Sequence, residues 1–195
     1  MPERRNSLRS ERRRPRIPHH VYTVGHSTRT IPEFVDVLRA GGVQFVVDIR
    51  TVPRSRTNPQ YNADVLPDEL GQWQVGYDRI AELGGLRGRA RDVPPEVNGY
   101  WENQSFHNYA DYALSQKFAE GLDRLERMAS ERPTAIMCSE AVWWRCHRRI
   151  VADYLLLRGR EVFHLMGAGR VETATMTPAA IKRNGHLVYP APSAA

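Results

Sequence analysis

Long apolar runs are missing from this 195-residue chain. Nothing in it approaches the ~18 consecutive apolar residues of a membrane span, and no apolar stretch follows the basic N-terminus. Membrane insertion and a secretory signal are therefore not expected, and the Arg12-Arg13-Arg14 run lacks the hydrophobic segment of twin-arginine export. Cysteine is scarce. Cys138 and Cys146 are the only two and make no disulfide framework, which points to a reducing cytoplasm. No Gly-x-x-x-x-Gly-Lys-Ser/Thr loop occurs, and Gly167-x-Gly169 is too short and too late for a dinucleotide fingerprint, so nucleotide triphosphatase and nicotinamide chemistry are not indicated. The His-x-Glu and Pro-Cys-x-x-Cys signature of zinc deaminases is absent as well. No internal repeat is visible, and no motif names a cofactor.

Charge is present but unevenly placed. The formal net charge is +6, from 28 basic and 22 acidic residues. Residues 1–20 carry seven arginines against two glutamates, leaving 21 basic and 20 acidic residues for the remainder. The body is nearly neutral, and the first twenty residues read as a disordered Arg-rich arm. Within the body, arginines cluster at 50–56, 87–91 and 145–149.

The rest of the chain reads as one α/β domain over residues 21–190, with a mainly parallel sheet flanked by helices and a frayed tail at 191–195. Tyr22-Thr23-Val24 predicts a strand ending at Gly25-His26-Ser27. Thr30-Ile31-Pro32-Glu33 has capping-box spacing and opens a helix that Gly41-Gly42 stops. Val43 to Ile49 is the near-continuous apolar run of a buried parallel strand. Residues 51–62 form a loop, 63–75 a short helix, 76–83 a third strand and 84–105 a long functional loop. Leu114, Phe118, Leu122 and Leu125 predict one helix over 107–130. Thr134 to Met137 is a strand, Arg145 to Leu157 a helix, and Glu161 to Met166 another strand.

In open parallel sheets ligands bind beyond the carboxyl ends of the strands. Three predicted strands end in reactive sets: His26 and Ser27, then Asp48 and Arg50, then Cys138 and Glu140. If these strands are neighbours, the sets share one rim. A thiol between a strand and a helix N-terminus is acidified by the helix dipole, which makes Cys138 a candidate nucleophile, with Arg145, Arg148 and Arg149 adding positive charge. The competing reading is a small buried residue at a strand end. Cys138, Glu140, Cys146, His147 and His26 also raise a metal site, but Cys-x7-Cys-His matches no common structural zinc pattern. Sequence neighbours on a helix also point about 100° apart. No metal ligands are assigned on that basis. His147 reads equally as a proton-moving group and as a satisfied core histidine. Asp48, at the end of an apolar strand, needs a partner such as Arg50 or Arg54. Arg50, Arg54 and Arg56 in a proline-containing loop suit an anion. The aromatics Trp73, Tyr77, Tyr100, Trp101, Trp143 and Trp144 read as core or loop anchors or as a base-stacking platform.

The segments GHSTRTIPEF, VVDIRTVPRSRTNPQYN, ELGGLRGR, YADY, MCSEAVWWRCHRRIVADYL and HLMGAGR together resemble the DUF488 family, over about Val21 to Pro190 and outside the arm. Membership implies one shared site from His26, Ser27, Asp48, Arg50, Pro53, Arg54, Ser55, Asn58, Cys138, Glu140, Cys146, His147 and Arg148. It also brings an association with DNA repair, since members are sometimes described in those terms. A looser resemblance is to rhodanese-type domains, carried by VVDIR, IMCSE and LMGAGR. The chain departs from their six-residue active loop and from the Cys-x5-Arg phosphatase signature, because Cys138 is followed by arginine only at Arg145. Sulfur transfer or phosphatase chemistry is thus analogy.

These readings converge on an enzyme-like domain that binds an anionic, phosphate-bearing or nucleotide-like ligand. Cys138, Glu140, His147, His26 and Asp48 are the candidate catalytic residues. Ser27, Arg50, Arg54, Ser55, Asn58, Cys146 and Arg148 are the candidate binding residues. The alternatives are a nucleic-acid-associated protein that uses the arm, and a non-catalytic ligand sensor. A homodimer is the default oligomer.

Overall fold

Thr30 opens the first helix as its spacing predicts. Its side chain accepts from the Glu33 amide, the Glu33 carboxylate accepts from the Thr30 amide, and Pro32 occupies the first turn, so α1 runs Ile31–Arg39. The computed structural model describes residues 20–167 and 169–192. Almost all of the Arg-rich arm and the end of the C-terminal tail lie outside the described residues.

The strands are β1 Val21–Gly25, β2 Phe45–Asp48, β3 Gly76–Arg79, β4 Thr134–Cys138, β5 Val162–Gly167 and β6 Arg170–Thr173. They form one six-stranded sheet in the order β3-β2-β4-β1-β5-β6, parallel except for β6, which pairs antiparallel to β5. Side chains alternate across it. Val46 and Met137 face one layer with Phe34, Val35 and Leu38 of α1 and with Leu66 and Leu70 of α2 (Leu66–Gly71). Val47 and Ile136 face the other, with Tyr109 of α3 (Gln104–Tyr112), Phe118, Leu122 and Leu125 of α4 (Gln116–Ala129), and Ile150, Val151 and Leu155 of α5 (Arg148–Leu157). The chain is therefore a single α/β domain with helices on both faces of a mostly parallel sheet. Among the described residues no helix is long and apolar enough to cross a membrane.

Several predicted elements differ from the observed ones. The helix expected over 107–130 is two, α3 and α4. Ser115 breaks it because its hydroxyl caps the Phe118 amide at 3.3 Å, which leaves Leu114 half-buried outside the core. The helix expected over 63–75 shrinks to α2. The strand expected over 76–83 ends at Arg79 and gives way to a 3-10 turn at Ala81–Leu83. The helix expected from Arg145 begins at Arg148, preceded by a 3-10 turn at Trp143–Arg145. A hairpin of β7 (Ile181–Arg183) and β8 (His186–Val188) was not expected. Its signal is Asn184-Gly185, with φ of 48° and 84°, the pair favoured where both turn residues are left-handed.

The strand order settles the placement of the reactive sets. β4 lies between β1 and β2, with Gly25 opposite Cys138 and Asp48 opposite Met137. All three carboxyl ends open on one rim.

Candidate functional site

At that rim lies a cleft of about 680 Å³. His26, Ser27, Arg50, Arg54, Ser55, Asn58, Cys138, Glu140, Cys146 and His147 all line it. Asp48 and Arg148 do not; both lie beneath it and act on residues that do.

Asp48 is fully buried, and its carboxylate is saturated from three directions. It accepts from the Arg50 amide at 2.9 Å, from the Arg50 guanidinium through Nε (2.9 and 3.0 Å) and Nη2 (2.5 Å), and from the Tyr77 hydroxyl at 2.9 Å. Burial pulls the Arg50 guanidinium toward losing its proton, and Asp48 more than offsets this, so the charge is held. Arg50 Nη2 also donates to the Tyr61 carbonyl at 2.6 Å. Nη1 meets His26 Nε2 at 3.2 Å, which leaves Arg50 one N–H without a partner among the described residues. Asp48 thus positions Arg50 and takes no direct part in the cleft.

His26 serves the same guanidinium. Its Nδ1 lies 2.8 Å from the Ser27 carbonyl, which can only accept, so Nδ1 carries the hydrogen and Nε2 receives from Arg50. Burial dominates its titration and, with the nearby Arg50 charge, outweighs the Ser27 contact and brings the pKa to about 4. The ring is stacked on Tyr61 at 4.0 Å. Ser27 itself holds a left-handed backbone, φ 52°, at the lip of the cleft.

The second half of the site is a thiol, thiol and imidazole cluster. His147 Nε2 donates to the Ile49 carbonyl at 3.1 Å, which leaves Nδ1 facing Cys146 Sγ at 3.6 Å and Cys138 Sγ at 4.0 Å. Arg148 is 1% exposed and donates through Nε to Cys146 Sγ at 3.3 Å and through Nη2 to the Glu140 carbonyl at 2.5 Å. The expected acidification of Cys138 is reversed. No helix begins beside it, since α5 starts only at Arg148. Its hydrogen bond to Cys146 and its burial push it up to about 12. Burial alone would raise Cys146 too, but the Cys138 thiol and the Arg148 charge bring it down to about 6. The expected divergence of Cys146 and His147 is also reversed. Cys146 is extended, φ −127° and ψ 144°, and lies outside the helix, so the two adjacent side chains converge.

Glu140 is exposed at the cleft mouth. Arg54 also lines the cleft, is exposed, and lies 4.0 Å from an equally exposed Asp64. Ser55 and Asn58 brace their own loop, Ser55 Oγ accepting from the Asn58 amide at 3.1 Å and Asn62 Oδ1 accepting from the Ser55 amide at 2.7 Å. Of the lining residues outside the candidate set, three bear on the site's chemistry. Arg145 is exposed, with no acidic partner among the described residues. Phe106 supplies an apolar wall from α3. Gly85 sits where any Cβ would fall 2.4 Å from His147 Nδ1. The tandem glycines Gly84-Gly85 were its available signal, since paired glycines outside a helix stop point to close backbone approach.

A family model described as domain of unknown function DUF488 matches residues 30–155. The chain belongs to the DUF488 family. The matched segment holds Asp48, Arg50, Arg54, Ser55, Asn58, Cys138, Glu140, Cys146, His147 and Arg148, whereas His26 and Ser27 precede it. In this DUF488 chain the matched residues thus supply most of the cleft, and β1 completes it from outside the match. No curated protein and no solved structure matches the chain.

Proposed function

We propose that the cleft binds an anionic, phosphate-bearing small molecule and that the chain is an enzyme-like domain acting on it. The observation that carries this reading is the approach of Arg50, Arg54 and Arg145 to one cleft that, among the described residues, holds a single carboxylate, Glu140. Arg50 is 5% exposed and fixed by Asp48, His26 and Tyr61, so its free N–H is preorganised toward the cleft at no ordering cost on binding. Arg54 and Arg145 are exposed and supply the charge that closes on the anion. Ser27, Ser55 and Asn58 add hydrogen-bonding groups at the rim. The thiols and imidazole lie at the floor of the same cleft, and Glu140 is the carboxylate placed to move a proton.

Calorimetric titration with inorganic phosphate at low ionic strength tests this. The full chain should bind it, and Arg54→Ala with Arg145→Ala should weaken binding by about tenfold or more, each charge-assisted contact being worth on the order of 1.5–3 kcal/mol. Equal affinity in wild type and double variant, with both folded, removes the anion reading. The nucleic-acid alternative rests on the arm, and nothing in the described fold favours it.

A further inference from the structure

We infer that Cys138, Cys146 and His147 form a binding site for a zinc-class divalent ion, with its fourth coordination position open to the cleft. Among the described residues these three bring Sγ, Sγ and a ring nitrogen within 4.8 Å of one another. A tetrahedral zinc with Zn–S near 2.3 Å and Zn–N near 2.0–2.1 Å holds its ligand atoms about 3.6–3.8 Å apart. The His147 Nδ1 to Sγ distances are 3.6 and 4.0 Å, so the cage needs only small side-chain rotations to close.

The surroundings match those of a metal ligand set more closely than those of a core cluster. His147 donates its other ring nitrogen to a backbone carbonyl, that of Ile49, which fixes the ring and leaves Nδ1 as the lone-pair atom. Arg148 donates to Cys146 Sγ from beneath, a hydrogen bond suited to a thiolate. Gly85 packs against the flat face of the His147 ring, where any Cβ would fall 2.4 Å from Nδ1 and 2.8 Å from Cε1 and Cγ, so the ring that presents Nδ1 to the two sulfurs is held against bare backbone. Two thiolates and one imidazole are a soft donor set that selects zinc over magnesium or calcium. All three ligands line the cleft, so the protein supplies three positions and the fourth is left to water or to a bound anion. The motif is missed by spacing rules because two ligands are sequence neighbours, and the extended Cys146 backbone is what lets them meet. This site is carried by its ligand atoms and stands or falls separately from the anion reading.

The test is titration of the reduced, metal-free full chain with Co2+ and then Zn2+. One equivalent of Co2+ should give sulfur-to-metal charge-transfer bands and the intense visible bands of a tetrahedral centre. Zn2+ should displace it and protect both thiols from a chromogenic disulfide reagent. Thiocyanate should shift the visible bands by occupying the fourth position. Cys138→Ser and His147→Ala, checked for folding by circular dichroism, should each weaken Co2+ by more than the roughly 100-fold that loss of an outer-shell partner costs. Absence of charge-transfer bands from wild type, or unprotected thiols in excess Zn2+, overturns the site. A cobalt spectrum indifferent to thiocyanate overturns its open position.

Discussion

The buried pair of Asp48 with Arg50 shows how much of the cleft depends on a residue, Asp48, that does not line it. The pair is buried, bidentate and supported by Tyr77, and removing one partner strands the other charge away from water. Asp48→Asn should therefore cost about 3–5 kcal/mol in urea unfolding, far more than the surface pair Arg39 with Asp36, whose loss should stay under about 1 kcal/mol. Gly85→Ala is the complementary case. Its methyl would have to displace His147, and overpacking of this kind costs about 1–3 kcal/mol. Its cobalt spectrum should be lost or distorted even where the variant remains folded. The chemistry at this scale was partly legible. Asp48 announced its need for a partner because a carboxylate closing an apolar strand is costly alone. The proton distribution between Cys138 and Cys146 was not legible, because it depends on Arg148 reaching back to a sulfur two residues earlier.

Among the elements, those bounded by local chemistry were read well and those bounded by tertiary contacts were not. The capping box at Thr30 and the apolar run of β2 are self-contained signals, and both elements lie where they were expected. The break between α3 and α4 is hidden by a periodicity that continues through it, and only the Ser115 cap marks the restart. Leu122→Ala should accordingly cost about 2–5 kcal/mol, while Leu114→Ala, which a single continuous helix would make equally severe, should cost under about 1 kcal/mol by thermal or urea unfolding. Ser115→Ala should cost about 1 kcal/mol through the lost cap. The start of α5 at Arg148 in place of Arg145 matters most for function, since three residues of displacement decide whether Cys146 and His147 diverge or converge.

The whole molecule joins these parts through strand order. The reactive strand ends were readable one at a time, but their adjacency required β4 to insert between β1 and β2, which no local pattern encodes. The fold also carries a pH limit. Burial holds both His26 and His164 at about 4, so the folded chain leaves them neutral where the unfolded chain protonates them below about 6.5. The unfolded state then binds more protons, so stability is full above about pH 6.5 and falls as the pH drops toward 4, by on the order of 3 kcal/mol for each histidine. Urea midpoints between pH 7 and pH 4 should fall accordingly, and replacing His164 with Gln should flatten part of that fall.

If Arg50, Arg54 and Arg145 together hold an oxyanion at the rim, a crystal of the full chain soaked in tungstate, a tetrahedral anion with a strong anomalous signal, will show where it sits. The expected result is one dominant peak in the cleft, within hydrogen-bonding distance of Arg50 Nη1 and flanked by Arg54 and Arg145. A cleft without a peak, in a crystal that carries tungstate elsewhere on the chain, contradicts an oxyanion site there.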